Sequence, residues 1–153
     1  MNKIVLPNEI MLGEVSRMLA EGKEVVIMTK GFSMLPFIKG EKDLVELEKA
    51  DSYVPGDIVL FNIGGRYILH RIVSVTDGIA WIRGDGVSGG HEECPVDRIF
   101  GKAVKIIKKS GRVVDPYSEA ELRKVRLWDR LLPVRRWILA FYRRMPWIKQ
   151  SDI

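Results

Sequence analysis

The sequence predicts a mainly β fold: a compact, coiled antiparallel β-structure with one helix before it and amphipathic helices after it. Three observations carry this expectation. Short runs rich in Val, Ile, Leu and Tyr recur between residues 25 and 114. Pro55-Gly56-Asp57, Gly64-Gly65 and Asp77-Gly78 punctuate them, the last two closely enough to make hairpins. Outside this region the apolar residues recur at helical spacing instead. No internal repeat or low-complexity segment stands out.

Taken in order, Asn8 is placed as an N-cap, and Met11, Leu12, Val15, Met18 and Leu19 repeat along one helical face until Gly22 stops it. Val25-Val26-Ile27-Met28-Thr29 is β-branched and apolar, as a buried strand requires. Further strands are expected at 44–47, 57–63, 66–76, 79–83, 98–107 and 111–114. Asp115-Pro116-Tyr117 breaks the pattern, and Ser118 with Glu121 is the capping-box signature of a helix running toward Leu132. Pro133 ends that helix and a second should follow over 134–145. This divides the chain into a β domain, 1–114, and a helical tail, 115–153.

Composition narrows the function classes. The 153 residues, 46% hydrophobic and 29% charged, suffice for a proper core and argue against disorder. A single cysteine, Cys94, excludes an internal disulfide framework. No apolar run approaches the roughly 20 residues of a spanning helix, and Glu9, Glu14 and Arg17 interrupt the first apolar segment where a signal peptide would not allow it. The cytoplasm is the expected compartment by default. The net charge of +5 conceals an asymmetry: residues 123–149 carry +8 and the remainder −3. Basicity concentrated in a tail points to an anionic surface as partner.

The chemistry centres on Gly31-Phe32-Ser33-Met34-Leu35-Pro36. A lone hydroxyl here follows a strand, on a bend that Gly31 permits and Pro36 keeps from continuing. Serine needs a base and oxyanion donors to act as a nucleophile. His70 lies mid-strand in Leu69-His70-Arg71-Ile72, Asp85 sits on the glycine-flanked turn Gly84-Asp85-Gly86, and Asp97 precedes Arg98. Singly, each has a plain structural role: a turn serine, a core histidine, a turn cap, an ion-pair partner.

Together they resemble a known family. The Ser33 box resembles the Ser-Met-x-Pro box of type I signal peptidases and the related self-cleaving SOS-repressor peptidases. His70-Arg71 falls where the bacterial enzymes carry Lys-Arg, Gly84-Asp85 resembles the Gly-Asp box, and Val96-Asp97-Arg98 resembles the Asp-Arg of the endoplasmic-reticulum and archaeal branch. Order and spacing fit over about half the chain. The resemblance implies Ser33 as nucleophile, His70 as base and then acid, and Asp97 holding the imidazole, with Asp85 a second carboxylate orienting His70 or its loop. Which of Asp85 and Asp97 contacts His70 is open, because sequence gives order and not distance. An imidazole titrates near neutrality, so His70 needs less perturbation than the lysine of the bacterial branch. Many bacterial members have a serine where this chain has Gly31, so oxyanion and substrate binding would fall to the backbone around Gly31, Ser33 and Met34. Gly86-Val87-Ser88-Gly89-Gly90 also replaces the more polar run common after the Gly-Asp box. No metal or cofactor is implied.

Signal peptidases carry a membrane anchor before the serine; here an amphipathic helix is expected instead. The tail offers a substitute. On a helical wheel Trp137, Ile138, Phe141, Tyr142 and Met145 share one face and Arg135, Arg136, Arg143 and Arg144 the other, with Leu139 and Ala140 as exceptions. Such a helix suits an anionic membrane surface or a protein neighbour, with nucleic acid ranked below both. The expected function is a serine endopeptidase that cleaves an extended leader or signal-like peptide, peripherally membrane-associated. The alternative is a non-enzymatic peptide-binding or membrane-docking module on the same fold. A self-cleaving regulator would need a DNA-binding domain, for which the 24 residues before the first strand are too few, and an Ala-Gly cleavage site, which is absent.

Overall fold

The computed structural model describes residues 2–3, 9–87 and 89–144; the side chains of 2–3, 9–12, 142 and 143 lie outside the description, as does the expected Asn8 cap. The elements in order are β1 (Asn2–Lys3), α1 (Glu9–Ala20), β2 (Val25–Met28), β3 (Leu44–Glu48), β4 (Ile58–Ile63), β5 (Arg66–Thr76), β6 (Ile79–Arg83), β7 (Glu92–Pro95), β8 (Gly101–Ile107), β9 (Val113–Val114), α2 (Glu119–Arg130) and α3 (Arg135–Arg143). With about 34% of residues in strands and 26% in helices, the chain is mainly β, and its sheet is antiparallel apart from the short β1–β2 pair.

The strands follow the order β1-β2-β3-β8-β4-β5-β6-β7, with β9 beside β8. Gly64-Gly65 and Asp77-Gly78 make two-residue turns, and all four residues have positive φ, as such hairpins demand. β4 divides the core. Ile58 and Leu60 face a cluster with Val15, Leu19, Ile27, Leu47 and Ile106, whereas Val59 and Phe61 face a second with Ile72, Ile82, Cys94 and Ile99. Burial on both faces is why residues 58–61 of β4 read as an uninterrupted apolar run.

β8 joins the two halves through a short seam, Val59 opposite Lys102 and Leu60 opposite Gly101. The next rung would pair Ile58 with Ala103, but a side chain stands in for it. The Tyr117 hydroxyl accepts the Ile58 N–H at 3.1 Å and donates to the Ala103 carbonyl at 2.5 Å.

Most boundaries follow the sequence signals. α1 ends with Lys23 N–H on the Met18 carbonyl and Gly22 N–H on that of Leu19, the six-residue closure for which left-handed Gly22 is suited. At the start of α2 the Ser118 hydroxyl accepts the Glu121 N–H at 3.3 Å. Two expectations are corrected. β8 begins at Gly101, because residues 96–98 form a 3₁₀ turn. A strand also occurs at Glu92–Pro95, where two glutamates and a proline give little β signal; it lies at the end of the sheet order, where proline is tolerated.

The helices after β9 fold back onto the β domain. Leu35, Trp128 and Leu139 form a third cluster, with Phe32, Phe37, Leu131 and Ile138 packed against it. This corrects the expected place of Arg135 among the exposed arginines of α3. Arg135 and Leu139, one turn apart, point inward, and Arg135 is only 1% exposed, so it is no membrane contact. Trp137 and Phe141 point outward, 65% and 64% exposed. Among the described residues no helix is long and apolar enough to cross a membrane.

Candidate active site

Ser33 lies on the long connection between β2 and β3, which closes on itself. The Glu41 N–H donates to the Thr29 carbonyl at 2.7 Å. The buried Asp43 carboxylate accepts the Lys39 N–H at 2.9 Å and holds Lys108 at 3.0 Å. Gly31 has a φ of 76°, and Gly40 is pressed so closely against it that a Cβ there would meet the Gly31 carbonyl oxygen at 2.2 Å. The serine therefore sits on a tied loop. No hydrogen bond among the described residues engages the backbone N–H of Ser33 or Met34.

The second loop, between β6 and β7, meets the first backbone to backbone. The Gly86 N–H donates to the Ser33 carbonyl at 2.8 Å. A Cβ on Gly86 would lie 2.0 Å from the Phe32 carbonyl oxygen. A Cβ on Gly84 would lie 2.4 Å from the Ser33 carbonyl oxygen and 2.9 Å from His70 Nε2. These glycines let two loops and an imidazole converge on one point, which no side chain could share.

His70 reaches that point from β5. The register that sets Arg71 opposite Arg83 brings His70 alongside Gly84. His70 is 8% exposed, with Phe61 edge-on at 6.4 Å between centroids. Its Nδ1 lies 2.5 Å from Glu92 Oε1. A carboxylate accepts and does not donate, so this contact places the proton on Nδ1 and leaves Nε2, the atom facing Gly84, as the acceptor.

Neither expected aspartate occupies the Glu92 position. Asp85 is committed to Arg71, with Nε at 2.9 Å and Nη2 at 2.8 Å, and Arg71 also donates to the Gly56 carbonyl. Burial works against the Arg71 charge, but Asp85 more than offsets it and holds the guanidinium above its usual pKa. Asp85 thus shapes the loop and does not orient the imidazole. Asp97 is exposed on the 3₁₀ turn. Pro95 stands opposite Ile79 while Glu92 stands opposite Ile82, so Asp97 is past the far end of β7, at least three residues or about 10 Å along the strand.

The sequence matches no family model and no curated protein. The arrangement is therefore read on its own geometry: a serine on a tied loop, an imidazole with a fixed tautomer, and a carboxylate behind it.

Two contributors were missed from sequence. Glu92 lies outside every motif, although it shares a strand face with the buried Cys94, an alternation that could have marked it as inward. Trp128 donates its Nε1–H to the Asp85 carbonyl at 2.7 Å and packs on Leu35, so α2 touches both loops. Of the expected membrane residues, Arg136, Trp137, Phe141 and Arg144 are exposed, and the Arg143 side chain is not described. The structure also gathers basic residues that the sequence scatters. Lys39, Lys42, Lys108, Lys109, Arg112 and Lys124 line a groove of about 750 Å³ beside α2.

Proposed function

We propose that the protein is a serine endopeptidase, similar in mechanism to the histidine branch of the signal peptidases, that cleaves an extended leader-like peptide near a membrane surface. The observation that carries this reading is His70, held through Nδ1 by Glu92 while Nε2 faces the point where Gly84 meets the Ser33 backbone. In the reaction, Ser33 Oγ attacks the scissile carbonyl and its proton passes to His70 Nε2. The Glu92 carboxylate stabilises the imidazolium, and the N–H groups of Ser33 and Met34 receive the oxyanion. The tetrahedral intermediate expels the amine, which takes the proton from Nε2. Water then attacks the acyl-enzyme with His70 again as base, and the second intermediate breaks the bond to Ser33 Oγ, which regains its proton from Nε2 as the acid product leaves. Only the neutral ring can accept the serine proton.

The test is labelling with a serine-directed acylating inhibitor, followed by peptide mapping. Modification of Ser33 in the wild-type chain, its absence in His70→Ala, and loss of leader-peptide cleavage in Ser33→Ala are expected. Cleavage by Ser33→Ala at the wild-type rate would exclude the mechanism. Saturable peptide binding with neither labelling nor cleavage would favour the non-enzymatic docking module.

A further inference from the structure

Between α2 and the β5–β6 strands lies a cavity of about 250 Å³ that does not include His70 or Ser33. Arg71, Arg83, Arg126 and Arg135 line it, against two carboxylates among the described residues, Asp85 and Asp129. Arg71 and Asp85 are paired with each other. Arg135 is the unusual member. It is 1% exposed, its Nη2 contacts the Trp128 carbonyl at 3.1 Å and Asp129 at 3.3 Å, its Nη1 reaches the Val87 carbonyl at 3.5 Å, and its Nε has no hydrogen-bond partner among the described residues. Asp129 is largely exposed, which weakens it as a counterion. Burial pulls the Arg135 pKa down, and the like charge of Arg83 adds to this. A buried guanidinium with an orphaned N–H, beside a second cation, is a costly arrangement unless an anion completes it.

We propose that this cavity binds a small, doubly charged oxyanion of the phosphate type, with Arg135 at its base and Arg83 and Arg126 toward the solvent. Four arginines against two carboxylates leave an excess of two positive charges, which a phosphate dianion neutralises. Guanidinium forks match the spacing of tetrahedral oxyanion oxygens. The site is independent of the chemistry proposed for Ser33. The same group could arrive as the free ion or on a phosphomonoester lipid headgroup.

The experiment is calorimetric titration of the full chain with inorganic phosphate, against sodium chloride of equal ionic strength, with sedimentation on phosphatidic acid vesicles as a second arm. Arg83→Gln and Arg126→Gln alter residues that are not buried, so the fold should survive both. Each should weaken binding about tenfold. Asp129→Asn should tighten it several-fold, which a purely structural role for the cluster would not produce. Saturable phosphate binding with this pattern assigns the free ion. The same pattern on vesicles alone assigns a headgroup. Absence of both, or binding that survives both arginine substitutions, overturns the proposal.

Discussion

His70 and Arg71 are neighbours in the chain and opposites in space. Successive residues of a strand face opposite sides, so one carboxylate cannot serve both. Arg71 takes Asp85 on one side of β5, and His70 takes Glu92 on the other. Glu92→Gln should leave the imidazole without its anchoring carboxylate and lower kcat by roughly 10³-fold or more, by analogy with other serine triads. Asp97→Asn should leave kcat within about twofold. Steady-state cleavage of one leader peptide by both variants checks this, and a large loss from Asp97→Asn alone would reverse the assignment. The proposed nucleophile and base were legible as candidates because local composition marks them: a hydroxyl between glycine and proline, a histidine inside an apolar strand. The carboxylate was not, because its position follows from the β6–β7 register, and register is a property of two strands.

α3 shows how an element can be recognised and one of its residues still be misplaced. Its helical period and the Pro133 break were visible in the sequence. The inward turn of Arg135 and Leu139 was not, because an arginine on a basic helix face reads as exposed. Leu35 and Trp128 lie instead against Leu139, and the Arg135 guanidinium stacks over the Trp128 ring at 4.8 Å. The exposed side retains Trp137, Phe141, Arg136 and Arg144. Aromatic rings beside arginines suit an anionic headgroup layer, and the two exposed arginines would contribute on the order of 2 kcal/mol there. Trp137→Ala with Phe141→Ala should reduce co-sedimentation with phosphatidylglycerol vesicles at high salt, where the charge contribution is screened. Equal sedimentation of variant and wild type would leave α3 as a protein-contact helix. Removing the helix altogether would be a poorer test, since it would strip Leu139 from the cluster behind the Ser33 loop.

Across the whole molecule, two half-sheets share β8, and Tyr117 fastens them where their ladder gives out. The fold class followed from the turn glycines and strand composition. The seam did not, because a tyrosine after a proline carries no sign of pairing with backbone 59 residues away. Burial raises the Tyr117 pKa well above the usual phenol value. Above about pH 10 the unfolded chain releases this proton while the folded chain keeps it, so stability should decline with rising pH from there. Tyr117→Phe should cost about 1–3 kcal/mol near neutrality, through the unpaired Ile58 N–H and Ala103 carbonyl, yet lose less between pH 10 and 11 than wild type. Burial also raises Tyr53, so the difference between the two proteins is the quantity to measure. Denaturant titrations at pH 7, 10 and 11 provide it.

The glycine contact between the two loops has a further consequence, one of entropy. Glycine surrenders more freedom on folding than any other residue, and the turn at the heart of the site spends two of them in three positions. Such a turn does not hold itself. Its order comes from Arg71 on β5, from the Ser33 carbonyl, and from the indole of Trp128 on a helix more than forty residues downstream. The stiffness of the site is thus borrowed from α2, and whatever α2 and α3 rest against can lend more of it or take some away.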